Sequence, residues 1–376
     1  MGFTFKFIIR LFLTMILSIL LTPFVRLLAY KIGAVDRPNE RRINKKTMPT
    51  AGGLSIFISF SVAVLWEFRD TLDMNRILPM LLGAFIIVIT GLIDDIVGLS
   101  PLQKVAGEIL AAVEIYFFAG IGFNTFSIPF IGSFDLGWFS LPMTILWILA
   151  ITNAVNLIDG LDGLAAGVSI IALVTIGLTS YFFLPGNGVI LAIMIFSLVA
   201  AIIGFFPYNF YPAAIYLGDT GALFLGFMIA IFSLQGLKNA TFISVLTPMF
   251  ILGVPITDTV FAMIRRHLKK QPMFSTPDKM HLHHRLLSLG FTHRGAVLTI
   301  YALALVFSLI ALLMNYASTS ATVLLVISTV LGIELFIELI GLVGEDRQPL
   351  MKMLKFLGNR RHRQEVMNKH KKNNKK

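Results

Sequence analysis

The chain has 376 residues, 56% of them apolar and 14% charged, with a mean hydropathy of +0.83. A soluble domain of this size needs far more charge to cover its surface, so the composition excludes one and implies a protein that crosses a membrane many times. The formal charge of +11 accompanies no nucleic-acid module, and the absence of cysteine excludes disulfides, thiol catalysis and cysteine-ligated metals.

Eleven spans of roughly 20 residues are predicted. They lie near 7–29, 51–67, 77–93, 104–121, 138–155, 164–184, 188–206, 219–236, 242–264, 296–315 and 321–343. The first lacks a small-residue cleavage site and is read as a retained helix. Segments after odd-numbered spans hold about 25 of the 31 lysines and arginines, so the positive-inside rule puts the N-terminus outside and the tail in the cytoplasm. Residues 123–135 read as a short external β-hairpin, with aromatic and β-branched residues around Ile131-Gly132. Residues 1–345 are read as one transmembrane domain and 346–376 as a basic cytoplasmic tail, interfacial and then disordered, attracted to anionic lipid.

Polar residues cluster at the cytoplasmic ends of these spans, in chain order. The loop 34–53 is basic, with Lys45 and Lys46, and leads into Pro49-Thr50-Ala51-Gly52-Gly53. The third span closes on Asp94-Asp95, two carboxylates whose repulsion calls for a nearby cation, and Lys104 follows. After the fifth span, Asn153, Asn156, Asp159 and Asp162 recur at spacing three beside Gly160 and Gly163, a segment offering carboxylates, amides and free N–H groups to a nucleotide and its metal. Asp219 opens the eighth span, preceded by Tyr211 and Tyr216, either of which can stack on a base or belong to the interfacial aromatic belt. Magnesium takes one or two carboxylates plus substrate phosphates, so three converging loops with an aspartate each suit it. The loop 265–295 carries His281, His283, His284 and Arg285, a set better suited to phosphate than to zinc because no metalloprotease frame or cysteine accompanies it.

Taken in this order, the five motifs resemble the polyprenyl-phosphate N-acetylhexosamine-1-phosphate transferases over about residues 34–295. HLHHRLLSLGFTHR is similar to the bacterial undecaprenyl-phosphate GlcNAc-1-phosphate branch, which starts teichoic-acid and related surface-glycan synthesis. The peptidoglycan branch, which transfers phospho-MurNAc-pentapeptide, has three consecutive histidines there, and Leu282 interrupts that run here. The resemblance implies an all-α polytopic fold around a cytoplasmic cleft and a magnesium ion, with manganese as substitute. It implies Asp219 as metal ligand, with Asp94 and Asp159 as further metal candidates. Asp94, Asp95, Lys104, Asp159, His281, His283 and His284 would be catalytic. Lys45 or Lys46, Asn156, Leu161, Asp162, Asn209, Tyr216 and Arg285 would bind substrate.

The implied reaction moves GlcNAc-1-phosphate from UDP-GlcNAc, or another UDP-N-acetylhexosamine, to undecaprenyl phosphate and releases UMP at the cytoplasmic face of the bacterial inner membrane. A homodimer is left open. The alternatives are the pentapeptide branch of the same family and a transporter using Glu108, Glu114, Glu334 and Glu338 as an ion path. A scaffold would leave the aspartates unexplained.

Overall fold

A computed structural model describes residues 5–37, 47–128, 132–184, 186, 188–235, 239–268, 281–341 and 348–358. Its helices begin and end where local chemistry directs. Helix α1 (Phe5–Ile32) is followed by two short paired strands, β1 (Val35–Asp36) and β2 (Met48–Pro49). Helix α2 (Gly53–Val62) continues through a π-helical turn to Glu67. Helix α3 (Met74–Val97) starts at Asp73, whose carboxylate accepts the Asn75 N–H, and stops at Gly98, where φ is +72°. Helix α4 (Pro101–Glu114) opens on a reciprocal cap between Ser100 and Gln103, with proline in the first position.

Strands β3 (Thr125–Ile128) and β4 (Gly132–Asp135) pair antiparallel, Thr125 facing Asp135. Helices α5 (Ser140–Ile158), α6 (Leu164–Phe183), α7 (Gly188–Asn209) and α8 (Gly218–Gln235) follow, then β5 (Asn239–Thr241), which pairs parallel with β3. The chain continues through α9 (Phe242–Ile251), α10 (Gly253–Leu268), α11 (Leu282–Ser288), α12 (His293–Met314), α13 (Thr319–Ile340) and α14 (Pro349–Gly358).

The protein is an all-α polytopic membrane protein. Among the described residues, eight helices are long and apolar enough to cross a membrane, and Gly53–Glu67 is a shorter apolar one. The segment expected as a span at 104–121 is α4 plus a π-helical turn at Ile115–Ala119, and it carries Lys104, Glu108 and Glu114. The single span expected over 242–264 is two helices, α9 and α10. The reason is local. Pro255 has no N–H to give the Ile251 carbonyl, which removes one bond of the helical ladder at the junction.

The chain folds as two compact units, residues 1–259 with 291–316, and residues 260–290 with 317–376. In the first, α8 is central: every residue from Gly218 to Leu234 except Asp219 is buried. It packs against α3 and α5, with α2 and α6 also alongside. Small residues allow this. A Cβ on Gly53 would sit 2.2 Å from the Gly221 Cα, and one on Gly91 would sit 2.6 Å from the Asp219 carbonyl oxygen. These crossings bring the end of α3 against the start of α8.

In the second unit, the His281–Arg285 segment opens α11, and the Arg285 Nε donates to the Ile340 carbonyl at the end of α13 at 2.5 Å.

Candidate active site

The first unit gathers four of the expected carboxylates at helix ends. Asp94 lies in the last turn of α3, where its Oδ1 accepts the Leu99 N–H at 2.6 Å and its Oδ2 pairs with Lys104. The same ammonium donates to Asp219 Oδ1 at 3.0 Å. Asn156, on the last turn of α5, donates to that oxygen at 2.5 Å. α4 and α5 are thus tied to one oxygen at the head of α8, and α3 joins them through the Asp94–Lys104 pair.

Asp95 points the other way. Its Oδ1 accepts the Asp219 N–H at 3.0 Å, and its Oδ2 accepts the Thr220 N–H at 3.0 Å and the Thr220 hydroxyl at 2.5 Å. It caps α8 from a different helix, satisfying N–H groups that have no partner within α8. Gly218, at φ +71°, is needed there, since a Cβ would meet Asp95 Oδ2 at 2.6 Å. Asp95 therefore positions Asp219, a division of labour within the Asp-Asp pair that spacing alone does not reveal.

The Pro49–Gly53 motif joins the same place through its backbone. Tyr216 N–H donates to the Pro49 carbonyl at 2.9 Å, and the Gly52 and Gly53 N–H groups donate to the Tyr216 and Leu217 carbonyls at 3.0 and 3.1 Å. Tyr216 is half-buried. Lys45 and Lys46 lie outside the described residues.

Asp159 follows α5. Burial pushes its carboxyl up to about 8, and the charges of Asp219, Asp95 and Asp162 push the same way. Asp162 Oδ2 accepts the Ala213 N–H at 2.9 Å, while its own N–H donates to His293 Nε2 at 3.1 Å. That bond makes Nε2 the acceptor and places any ring proton of neutral His293 on Nδ1. The Tyr211 ring stacks on His293 at 4.3 Å, and Arg294 donates to the Tyr211 carbonyl at 3.0 Å. Leu161 is buried, and so is Asn209, whose Nδ2 donates to the Ile215 carbonyl at 3.1 Å. The Asn209 amide, expected to bind substrate, donates within the turn that carries Tyr216.

Spacing missed His293, Arg294 and Thr220. Asn153, read with Asn156 as part of the polar segment after the fifth span, donates its amide to the buried Glu108 at 2.6 Å, one helical turn from Lys104. Glu108 thus braces α4 against α5. The signal was present in the four-residue step from Lys104 to Glu108 and the three-residue step from Asn153 to Asn156.

Residues 77–237 match the model of glycosyl transferase family 4. Over 94% of this chain and 97% of the relative, the sequence is 42% identical to a probable undecaprenyl-phosphate N-acetylglucosaminyl 1-phosphate transferase of Bacillus subtilis (strain 168). The chain belongs to glycosyl transferase family 4. A decaprenyl-phosphate N-acetylglucosaminephosphotransferase of Mycolicibacterium smegmatis is 35% identical over 76% of both chains. A phospho-N-acetylmuramoyl-pentapeptide-transferase of Halalkalibacterium halodurans is 30% identical over 81% of this chain and 95% of its own. The family-4 match contains the aspartate cluster, Lys104, Asn156 and Tyr216, and the histidine segment lies beyond it.

The histidine segment of this family-4 chain belongs to the second unit. His281 and His283 are buried, with rings 5.9 Å apart and nearly parallel, and the His283 and His284 rings are 4.2 Å apart. Arg285, expected on a phosphate, gives its Nε to the Ile340 backbone.

The site suits a hard cation. One lysine is shared between Asp94 and Asp219, and Asp159 lies close enough to feel the charges of Asp219 and Asp95; crowded carboxylates are stabilised by further positive charge. Among the described residues no three His, Asp or Glu side chains already converge at metal-ligand spacing. Magnesium does not require that, because it takes one or two carboxylates and fills its octahedron with phosphate oxygens and water. Asp219 Oδ2 and Asp159 offer such oxygens, since Lys104 and Asn156 occupy only Asp219 Oδ1.

Proposed function

We propose that the protein transfers GlcNAc-1-phosphate from UDP-GlcNAc to undecaprenyl phosphate, giving undecaprenyl-diphosphate-GlcNAc and UMP. The observation that carries this reading is the Asp94–Lys104–Asp219–Asn156 cluster. It holds a fixed cation beside oxygen donors at a helix N-terminus, in a chain 42% identical to a transferase of that name. Both substrates are anionic, and the lipid phosphate is largely doubly ionised at neutral pH because its second pKa is about 6. Mutual repulsion is then the main barrier, so charge neutralisation and alignment do most of the catalysis.

An oxygen of the lipid phosphate attacks the sugar-bearing phosphorus. The bond from that phosphorus to the bridging oxygen breaks, and UMP leaves with that oxygen. Lys104 holds the diphosphate charge, and Asn156 and Asp95 keep Asp219 oriented. Magnesium, held by Asp219 with Asp159 and replaceable by manganese, would supply further neutralisation of phosphate oxygens. Asp94 has both oxygens engaged by Leu99 and Lys104, which favours a positioning role and direct attack over an aspartyl-phosphate. Asp162, Tyr216 and the Tyr211–His293 wall are the proposed nucleotide side, and the 281–285 segment is a proposed phosphate binder. The basic-loop bias supports a bacterial inner-membrane enzyme whose site faces the cytoplasm, serving teichoic-acid or related glycan synthesis.

Purified protein should release UMP from UDP-GlcNAc only when undecaprenyl phosphate and magnesium are both present. UMP release from UDP-MurNAc-pentapeptide with none from UDP-GlcNAc would transfer the chain to the peptidoglycan branch.

A further inference from the structure

The last turn of α13 does more than end a helix. Glu338 is buried, at 3% exposure, yet its carboxylate is fully used. Oε1 accepts the Leu350 N–H at 2.8 Å, and Oε2 accepts the Met351 N–H at 2.6 Å. These are the second and third residues of α14, where N–H groups have no partner inside the helix. Pro349, at the first position, has no N–H to satisfy. The Gln348 amide adds a bond to the Glu338 carbonyl at 3.0 Å. A carboxylate placed on a helix N-terminus from twelve residues away sets where α14 starts and which way it leaves α13.

What it holds is an amphipathic segment, PLMKMLKFLG. On a helical wheel Leu350, Met353, Leu354 and Leu357 fall on one arc, and positions 352 and 355, both lysine, fall on the opposite one. Met353 is 52% exposed, so the protein does not cover the apolar arc there. Residues 350–376 contain ten lysines and arginines against one acid, Glu365. A short helix with Met353 exposed on its apolar arc, lysines at the opposite positions and a basic sequence after it fits the boundary between acyl chains and anionic headgroups.

We propose that α14 is a membrane-surface anchor for anionic lipid, clamped by Glu338. The clamp fixes the helix relative to α13, the apolar arc enters the acyl boundary, and the lysines meet negative headgroups. The Arg285 bond to Ile340 attaches α11 to the same turn, so anchoring α14 also steadies the histidine helix.

The test reads lipid contact and not transfer, so it stands apart from the proposed activity. The chain has no cysteine, which makes Met353→Cys a single labelling site. Full-length protein, labelled there with an environment-sensitive fluorophore, is placed in nanodiscs of phosphatidylcholine alone or mixed with phosphatidylglycerol. Both contain a lipid carrying a nitroxide high on its acyl chain. Stronger quenching is expected with phosphatidylglycerol, and added salt should reduce the difference. Lys352→Gln and Lys355→Gln should each lower the docked-to-undocked ratio about fivefold in the anionic discs. Glu338→Gln should lower quenching in both lipids, because one of the two accepted amide bonds is lost. Equal quenching in the two compositions, or none in either, overturns the anchor. Unchanged quenching in Glu338→Gln overturns the clamp.

Discussion

Lys104 is the residue on which the cluster turns, since one ammonium compensates Asp94 and Asp219 together. Lys104→Gln keeps a hydrogen-bond donor, on a side chain one bond shorter, but removes the charge. Its turnover should fall by about a hundredfold or more with little change in donor KM, as expected for charge stabilisation felt mainly in the transition state. Steady-state kinetics on purified protein checks this. Asp219→Ala should abolish transfer at any magnesium concentration, whereas Asp219→Glu should recover part of it as magnesium is raised. An Ala variant with normal magnesium dependence would remove Asp219 from the site.

Asp159 carries a pH signature that needs no substrate. Its carboxyl sits at about 8 in the folded chain, well above the ordinary carboxylate range. Between those values the folded state binds a proton that the unfolded state has released. Stability must therefore fall as pH rises through that window and level off above it. In a chelator, the unfolding temperature should drop from about pH 5 to about pH 8. Asp159→Asn should flatten the decline, and magnesium should offset it. At the other end of α3, the same physics runs in reverse. Arg10 holds exposed Asp70 well below the usual carboxylate range through hydrogen bonds of 2.8 and 2.9 Å. An arginine on the sparsely basic side of the charge count is thereby paired.

At the scale of elements, the site depends on how closely α3 approaches α8. Gly91 is the contact that sets this, because an added Cβ would meet backbone atoms of Asp219 and Thr220 at 2.6 Å, and backbone cannot swing aside. Gly91→Ala should cost about 1–3 kcal/mol, the usual range for overpacking. It should also reduce transfer, because Asp95 and Asp219 move apart with the helices. Thermal unfolding and activity on the same preparation measure both. Ala at Gly98 tests the alternative of a purely conformational cost: φ is +72° there, but nothing lies within 4 Å of the added Cβ. That substitution should weaken the end of α3 while the crossing stays intact.

For the whole molecule, sidedness can be read along α3. Its 24 residues rise about 36 Å at 1.5 Å each, enough to cross a hydrocarbon core. Arg69 and Leu102, both exposed, lie beyond its opposite ends. In intact cells, a cysteine replacing Arg69 should react with a membrane-impermeant thiol reagent, and one replacing Leu102 should react only after lysis. The reverse pattern would invert the topology and move the aspartate cluster to the outer face.

Much of this protein can be read from one dimension. Apolar runs announce the membrane because hydrocarbon tolerates little else, and Asp94, Asp159 and Asp219 stand out because carboxylates beside hydrocarbon are expensive. Their order along the chain carries the family. Periodicity read one span over 242–264 because it scores apolarity and not N–H supply, and Pro255 withholds one N–H where α9 gives way to α10. Spacing could not divide Asp94 from Asp95, because adjacent residues on a helix point about 100° apart and only α8 determines which one it meets. Nor could it find His293 beside Asp162 or Glu338 on the start of α14, since those partners are 131 and 12 residues apart. Residue type and hydropathy act locally and are written in the sequence. Which lone pair meets which N–H depends on distances between helices, and those exist only once the chain has packed.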